Sequence, residues 1–500
     1  MAISKEFIAH VKSPPRNLIT LLLYSAGIFF IFKSFTSIEL TSLWNDELST
    51  AEKSFQDSID YLYNYLARDT HPPFYYLVMM VAGQVFGKTF LTLRGLSWFS
   101  YFGSCFIANL VIREQKLRQP YPAAMFLLTA ATPFAFRYSS EAKAYSMIML
   151  VIMLFLLFRT KLENTSEKDK SFVHIFYTIT LAAASLTHFY GYAFALCVST
   201  CDLVFKRYRF TKANCLALIL PTAWTISHAN FLITQKGRKT LNPTSIDTLK
   251  SIIKTFLGSN WEIIIIAIVF ILILCLVVLN AKYSKKILCD YSIDACFLLI
   301  TITLLISVFK PSSHARYYIV ALPSFLCGVV SLAAMAMETK KIHLLIKMLI
   351  PGLFLATIFD FWHHATTPFR NPQILTTRNK TEHRTASLLG VNYDIKLSRQ
   401  SNSLQIYDKI LTASQTIPKP LPSEEWRKVS SKNNDKTLKT HYQNIPEGAD
   451  FLYALSRNTY IRRNFKEDLL TLKSLGAKCE RLLPTISNLR ALHCHKPKSD

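Results

Sequence analysis

The sequence predicts an all-α polytopic membrane protein with about eleven transmembrane helices, some interfacial helices and a small C-terminal soluble α/β domain. Hydrophobic residues make up 51% of the 500 residues, and 18% are charged, where an ordinary soluble domain has about 25%. The apolar residues form long runs with almost no charge, at 17–35, 263–280, 295–309 and 343–359. Because a helix needs about 20 such residues to cross the hydrocarbon layer, these runs favour a membrane domain over a soluble core.

Hydropathy places all of these spans in a membrane domain of residues 1–362, followed by a polar soluble domain of residues 363–500. The predicted spans are 17–35, 92–112, 121–137, 142–158, 172–188, 190–205, 214–232, 261–280, 291–309, 316–337 and 342–360. The first run follows basic residues, as a secretion signal would. It is long and no clear small-residue cleavage site follows it, so we interpret it as an uncleaved span.

The basic residues indicate how the chain is oriented. Short basic loops near residues 113–118, 159–170, 206–212, 282–286 and 340–347 alternate with the loops 36–91, 138–141, 233–260 and 310–315. The positive-inside rule puts the basic loops and the N-terminus in the cytoplasm. An odd number of spans then puts the tail outside. We therefore expect a multi-pass inner (plasma) membrane protein with a periplasmic or extracytoplasmic C-terminal domain.

Two outward loops contain amphipathic segments that we interpret as interfacial helices. In the first loop one apolar stripe follows a capping box of Ser54 and Asp57, and its members are Phe55, Ile59, Leu62, Tyr63 and Leu66. The apolar segment 74–86 is short, and counting it as a span would invert every later loop. Residues 246–257 of the second loop carry a similar stripe.

We attribute the net charge of +25 mainly to the basic loops on the cytoplasmic side, and the sequence contains no recognisable nucleic-acid-binding module. Anionic membrane lipid or lipid phosphate is the more natural partner. No CxxC pair appears among the ten cysteines, so a zinc site has little support. Cys479 and Cys494 stand apart in the polar tail, where export would allow them to form a disulfide.

Four outward segments carry residues suited to chemistry. Asp46 and Glu47 follow a tryptophan just past the first span, either as an exposed acidic loop or as a catalytic base with an acidic neighbour. The second segment is His71-Pro72-Pro73-Phe74-Tyr75-Tyr76, in which the histidine alone would more often be structural.

The third segment runs from Arg137 to Tyr145. Glu141 and Tyr145 are spaced to share a helical face, and the alternative is a charged turn in which Arg137 pairs with Glu141. In the fourth segment Arg316 precedes Tyr317, where the guanidinium serves either as an interfacial anchor or as a phosphate ligand.

Taken in order, these segments resemble the bacterial branch of the GT-C glycosyltransferases, near the protein O-mannosyltransferases and the aminoarabinose lipid A transferases. The resemblance covers roughly residues 15–360. It rests on Asp46-Glu47, His71-Pro72-Pro73-Phe74-Tyr75-Tyr76, Arg94 in Leu93–Ser97, Ser140–Tyr145, Thr187-His188-Phe189-Tyr190-Gly191 and Ala315-Arg316-Tyr317. This chain has Ser140-Glu141-Ala142-Lys143 where the family commonly has Gln-Glu-Ala-Arg, so its phosphate contacts involve a point charge instead of a fork.

The resemblance implies a transferase that moves a sugar from a polyprenyl-phosphate donor to an acceptor hydroxyl or phosphate at the outer face. Asp46 then takes the position of the base, with Glu47 or Glu141 orienting it or the acceptor, and one base favours inversion by direct displacement. The implied phosphate-neutralising cations are Arg94, Lys143 and Arg316, and the other implied substrate-binding residues are His71, Tyr75, Arg137, Tyr145, His188 and Tyr317. No metal or other cofactor is required, although His71 and His188 keep a divalent metal possible.

The acceptor is a protein, a lipid or another glycan, and the sequence does not choose among them. The main competing function is a transporter or lipid-linked sugar flippase, which predicts two internal repeats with broken helices; no such symmetry is visible. A non-catalytic scaffold leaves the charged residues at the membrane edge unexplained. An O-antigen ligase or polymerase typically relies on large outer loops with arginine and histidine, so the early acidic pair argues against it.

Overall fold

The structure is a computed structural model that describes the greater part of the membrane domain and three strands of the tail. The described residues are 16–36, 45–56, 58–67, 71–165, 170–234, 291–309, 315–338, 450–456, 472–481 and 489–495, with 38, 69, 351–352, 354–359, 361, 470 and 497. The predicted span 261–280, the predicted interfacial helix 246–257 and most of the predicted span 342–360 lie outside them. The chain divides into two compact units. Unit 1 comprises 1–35, 66–75 and 97–366, and unit 2 comprises 36–65, 76–96 and 367–500.

Unit 1 is built from helices that reproduce most of the predicted spans. They are α1 (Arg16–Phe35), the later part of α5 (Phe90–Glu114), α6 (Tyr121–Ala131), α7 (Pro133–Tyr138), α8 (Ala144–Asn164), α9 (Lys170–Thr187), α10 (Phe189–Val204), α11 (Tyr208–Thr234), α12 (Ile293–Phe309), a 3₁₀ helix (Ala315–Ala321) and α13 (Leu322–Glu338). The predicted span 121–137 is broken at Thr132, which is extended before Pro133, because a proline disfavours helical geometry in the preceding residue.

Among the four described helices that are long and apolar enough to cross a membrane, α8 is the most buried and α1 is the most exposed. On α8, Ile148, Ile152 and Phe155 have no exposed surface, as expected for a helix that is apolar all round. On α1, Leu21 and Phe32 are more than 60% exposed, as suits a helix that faces lipid. By length and composition, four described helices can cross a membrane: Asn17–Phe35, Leu91–Glu114, Ala144–Asn164 and Arg316–Met335. The chain is therefore a membrane protein.

A buried polar network joins helices α8, α9, α10 and α11 within unit 1. Arg159 on α8 donates two hydrogen bonds to the Asp202 carboxylate on α10, at 2.6 and 2.9 Å. Tyr177 on α9 donates to the Asn214 amide oxygen on α11 at 2.6 Å, and the Asn214 amide nitrogen donates to Asp202 at 3.0 Å. Burial makes each of these bonds stronger and each missing partner costly, so the network fixes how the four helices meet.

The network continues to a fifth helix through a second arginine. Arg207 lies between α10 and α11 and donates to Asp202 at 3.3 Å and to Asp294 on α12 at 2.7 Å. Sequence analysis placed Arg159 and Arg207 among the charges of basic loops. The structure corrects this interpretation for Arg159, which is fully buried within α8, whereas Arg207 does lie in the connection between α10 and α11, where its side chain is 14% exposed.

Unit 2 contains α2 (Asn45–Ser54), α3 (Ile59–Leu66), most of α4 (Phe74–Phe86), the start of α5, and a sheet from the tail. Helix α4 has 13 residues, about 20 Å of helix, which is less than the roughly 30 Å of the hydrocarbon layer. This length agrees with the prediction that α4 is not a full span.

The predicted capping box of Ser54 and Asp57 is wrong. Ser54 ends α2, and α3 begins at Ile59, where the Ser58 hydroxyl oxygen accepts a hydrogen bond from the Asp60 N–H at 3.1 Å. The predicted apolar stripe is divided accordingly. Phe55, Leu62 and Leu66 are buried, whereas Ile59 and Tyr63 are exposed.

The tail forms a three-stranded antiparallel sheet in the order β1-β3-β2. The strands are β1 (Asp450–Ser456), β2 (Lys478–Arg481) and β3 (Leu489–His495). The register places Cys479 directly opposite Cys494, and Cys479 is disulfide-bonded. Residues paired in this way have Cα atoms about 4.5–5.5 Å apart, within the range that a disulfide needs.

Candidate active site

The first acidic pair lies in the first turn of helix α2, in unit 2. Asp46 belongs to the helix, and its side chain lies outside the described part of the structure. Glu47 is fully buried, and its carboxylate accepts hydrogen bonds from Nε and Nη2 of Arg94 at 2.8 and 2.7 Å. The third guanidinium nitrogen, Nη1 of Arg94, donates to the Ile38 carbonyl at 2.6 Å.

The geometry gives Arg94 a different partner from the one expected. Sequence analysis assigned Arg94 to the donor phosphate, whereas here Nε, Nη1 and Nη2 of its guanidinium each donate to a protein oxygen. Glu47 correspondingly has both carboxylate oxygens engaged. Such a fork-to-fork pair fixes both side chains, so it suits a role in holding the helix turn that carries Asp46.

A second group of candidate residues surrounds His188 in unit 1, at the break between α9 and α10. His188 has extended backbone angles, and its Nδ1 accepts a hydrogen bond from the Tyr190 N–H at 3.1 Å. An Nδ1 that accepts carries no proton, so the neutral ring keeps its proton on Nε2 and presents it as a donor. The cap therefore fixes both the tautomer and the position of the ring.

A glycine next to this cap allows the two helices to approach closely. A Cβ on Gly191 would lie 2.1 Å from the Ala184 carbonyl oxygen and 3.0 Å from the Ile148 side chain. No side chain fits within that space. The position of His188 therefore depends on a glycine at this residue.

The ring of His188 belongs to an aromatic cluster, which we define as Tyr145, His188, Tyr190, Tyr317 and Tyr318. The ring centroids of His188 lie 5.3 Å from Tyr317, 5.9 Å from Tyr190 and 6.1 Å from Tyr145. Tyr190 also contacts Tyr317 at 5.1 Å and Tyr318 at 5.5 Å. The segments that carry these rings are 173 residues apart in the sequence at their extremes (318 − 145), and only the helix packing brings them together.

Three cationic or ionisable residues lie around this aromatic cluster. Lys143, Arg316 and His71 each interact electrostatically with His188. Lys143 is buried and precedes the first turn of α8, and Arg316 lies 5.6 Å from the ring of Tyr317. Two of the phosphate cations expected from the resemblance, Lys143 and Arg316, thus each interact with the same histidine.

The third candidate segment is a turn instead of a helix. Glu141 lies outside α8, which begins at Ala144, so the prediction that Glu141 and Tyr145 share a helical turn is wrong. The chain turns between α7 and α8, and Lys143 is extended. Arg137 pairs with Glu141 at 3.4 Å, as in the alternative of a self-paired charged turn.

His71 and Tyr75 lie in the short part of the first outer loop that belongs to unit 1. His71 Nδ1 is 2.9 Å from Asp69 Oδ1, and the histidine side chain is 31% exposed. Tyr75 is fully buried at the start of α4. A carboxylate that contacts one ring nitrogen orients the imidazole, which suits the contact with a substrate that the resemblance implies for His71.

Sequence reasoning did not identify Asp69, Tyr190 or Tyr318 as contact residues, although all three lie within or beside the quoted motifs. It also passed over Lys53, a buried lysine on α2. The available signal for Lys53 was its position, since it follows Asp46 by seven residues on the same short helix. Among the described residues, no group of three or more His, Cys, Asp or Glu side chains is arranged to hold a metal ion.

The fold is similar to that of two solved structures of one protein, and no family model or curated protein matches the sequence. ArnT from Cupriavidus metallidurans in the apo state matches with a TM-score of 0.57 and 13% sequence identity, over 95% of this chain and 97% of that one. The same protein bound to undecaprenyl phosphate matches with a TM-score of 0.52 and 12% identity, over the same shares of the two chains. This chain therefore has the GT-C fold of ArnT.

Proposed function

We propose that this chain is a membrane glycosyltransferase that moves a sugar from a polyprenyl-phosphate donor to an acceptor hydroxyl or phosphate. The observation that carries the proposal is the likeness to ArnT along nearly the whole chain, including ArnT bound to undecaprenyl phosphate. ArnT is an aminoarabinose lipid A transferase. A transporter would be expected to have two related repeats, and the likeness to ArnT favours the transferase.

The proposed reaction is a direct displacement at the anomeric carbon, with inversion, at the outer face of the membrane. Asp46 takes the proton from the acceptor hydroxyl as its oxygen bonds to the sugar, and the bond from the sugar to the phosphate oxygen breaks. The electron pair of that bond leaves with the lipid phosphate. Glu47, held by Arg94, fixes the turn of α2 that carries Asp46.

The leaving phosphate develops negative charge, which fixed cations can stabilise. Lys143 and Arg316 both interact electrostatically with His188, whose Nε2–H is available as a further hydrogen-bond donor in the neutral ring. Charges that are already in position need no reorganisation as the reaction proceeds, so they stabilise the transition state more than the ground state. These groups provide the stabilisation without a metal ion or another cofactor.

The remaining candidate residues belong to the binding of sugar and acceptor in this proposal. The rings of Tyr145 and Tyr317, which both contact His188, offer apolar faces to a sugar. Tyr75, His71 and Arg137 belong to the segments that are predicted to face outward. The acceptor is a protein, a lipid or another glycan presented at the outer membrane face. Nucleic acid is not an expected partner.

The test is sugar transfer from radiolabelled polyprenyl-phosphate sugars in membranes that contain wild-type protein or the Asp46→Asn variant. We expect transfer by the wild type and a loss of at least about 10³-fold in the variant, since the base is removed and the shape is kept. Asp60→Asn is the matched control, because Asp60 is an exposed carboxylate on α3. EDTA should leave transfer unchanged.

Transfer by Asp46→Asn at the wild-type rate would remove Asp46 from the role of base. If EDTA abolishes sugar transfer and added magnesium restores it, the metal-free mechanism is wrong. If the wild-type protein transfers no sugar from pentose or hexose donors but moves a lipid-linked sugar across vesicle membranes, the protein is a flippase and not a transferase.

A further inference from the structure

Helix α2 buries several polar side chains. Thr50 and Ser54 have no exposed surface, and Lys53 is 4% exposed. Lysine is among the residues least often buried, because removing its ammonium from water is costly unless other groups compensate. A buried lysine on the helix that begins with the acidic pair therefore calls for a physical reason.

Two tyrosine rings hold the ammonium of Lys53 in place. Its Nζ lies 5.0 Å from the ring centroid of Tyr76 on α4 and 5.6 Å from that of Tyr65 on α3. Both distances are within the range of a cation–π interaction, in which the negative face of the ring attracts the cation. The lysine is thus fixed by three helices of unit 2, with little water around it.

Helix geometry relates this ammonium to the first turn of α2. Positions 46 and 53 are seven residues apart, so they lie on the same face, about 10 Å apart along the axis. Helical side chains lean toward the N-terminus, which brings the lysine ammonium toward the turn of position 46. Glu47 is on a different face and is occupied by Arg94.

We propose that Lys53 is a phosphate-binding residue for the polyprenyl-phosphate donor, on the same face of α2 as Asp46. This assignment rests on the proposed function and gives unit 2 its own donor contact, in place of Arg94. A phosphate oxygen that meets an ammonium in a water-poor site interacts more strongly than it would in bulk water. The tyrosine rings hold the cation in position before the donor binds, which lowers the entropic cost of binding.

The experiment measures binding of undecaprenyl phosphate to the purified full-length protein in detergent, by the rise of the unfolding temperature with ligand concentration. We expect Lys53→Met to raise the apparent Kd at least about tenfold and Lys53→Arg to raise it less, because arginine keeps the charge. Lys212→Met, which removes an exposed lysine from α11, should bind as the wild type does. Asp46→Asn should also bind normally while it fails to transfer sugar.

Wild-type affinity in folded Lys53→Met would overturn the assignment of Lys53 and leave the proposed function standing. Absence of undecaprenyl phosphate binding by the wild type would overturn both. If Lys53→Met does not fold, Tyr65→Leu decides the question, because it keeps the lysine and removes one of the rings that hold it. We then expect a Kd raised several-fold, and an unchanged Kd would count against the proposal.

Discussion

Arg94 and Glu47 show how a side chain's partners determine what it can do. An arginine near an acidic motif looks like a ligand for phosphate when only the sequence is known. In the folded chain, Glu47 takes Nε and Nη2 of the guanidinium and Ile38 takes Nη1. Both charges are almost fully buried, so each compensates the other, and removing one leaves an uncompensated charge in a medium of low dielectric.

We expect Arg94→Met to destabilise the protein by about 3–5 kcal/mol, because it leaves the Glu47 carboxylate buried without its partner. The double variant Arg94→Met, Glu47→Leu should recover much of that loss, since it removes both charges. Thermal unfolding in detergent measures both effects. If Arg94→Met keeps wild-type stability but binds the donor weakly, Arg94 is a phosphate-binding residue as the resemblance implied.

At the scale of the helix, the break between α9 and α10 determines where His188 is held. Thr187 ends one helix, Phe189 begins the next, and His188 caps the second through the Tyr190 N–H. The two helices touch at Gly191, where the absence of a side chain leaves room for the Ala184 carbonyl. Packing of two helices thus positions a donor group of the candidate site.

Gly191→Ala should lower stability by about 1–3 kcal/mol, because its methyl group would overlap the Ala184 carbonyl at 2.1 Å and force the helices apart. It should also lower transfer more than stability predicts, since His188 would move. Gly95→Ala is a matched control: its Cβ meets nothing within 4 Å, and alanine suits a helix interior better by about 0.5–1 kcal/mol.

Unfolding temperature and transfer rate, measured on the same preparations, separate the two effects. If Gly191→Ala behaved like Gly95→Ala in both measurements, close packing of α9 on α10 would not be what holds His188.

At the scale of the whole molecule, orientation in the membrane follows from the placement of charge. The short basic loops predict a cytoplasmic N-terminus, and the odd number of predicted spans predicts a tail on the outside. The disulfide at Cys479 is consistent with this orientation, because structural disulfides persist in oxidising compartments.

We expect a C-terminal alkaline phosphatase fusion to be active and a C-terminal green fluorescent protein fusion to be dark, because the predicted orientation exports the tail. In the same cells, a membrane-impermeant maleimide should label Cys479 and Cys494 only after reduction. A fluorescent C-terminal fusion, together with thiols that react before reduction, would contradict the predicted orientation and place the tail in the cytoplasm.

Several residues show how far sequence reasoning reached and where it stopped. The predicted spans 17–35, 172–188 and 190–205 agree with helices to within two residues. A long apolar run in a membrane has few alternatives to a helix, because its backbone polar groups must be satisfied within the segment. The turn at Glu141 and the end of α2 at Ser54 were missed, because helix boundaries depend on local caps. Lys53 was missed because its burial and its two tyrosine contacts come from residues 12 and 23 positions later.

The amino-acid sequence was enough to identify a helical membrane protein, because membrane burial demands long apolar runs, and it predicts that the acidic, histidine and arginine motifs lie in outward loops, because charge placement sets orientation. Which charged groups neutralise one another could be seen only in the folded chain. It pairs Arg94 with Glu47 and Arg159 with Asp202, and it gathers Tyr145, His188 and Tyr317. The physical reason is that desolvated charges and rings interact strongly over a few ångströms, and those distances are set by helix packing.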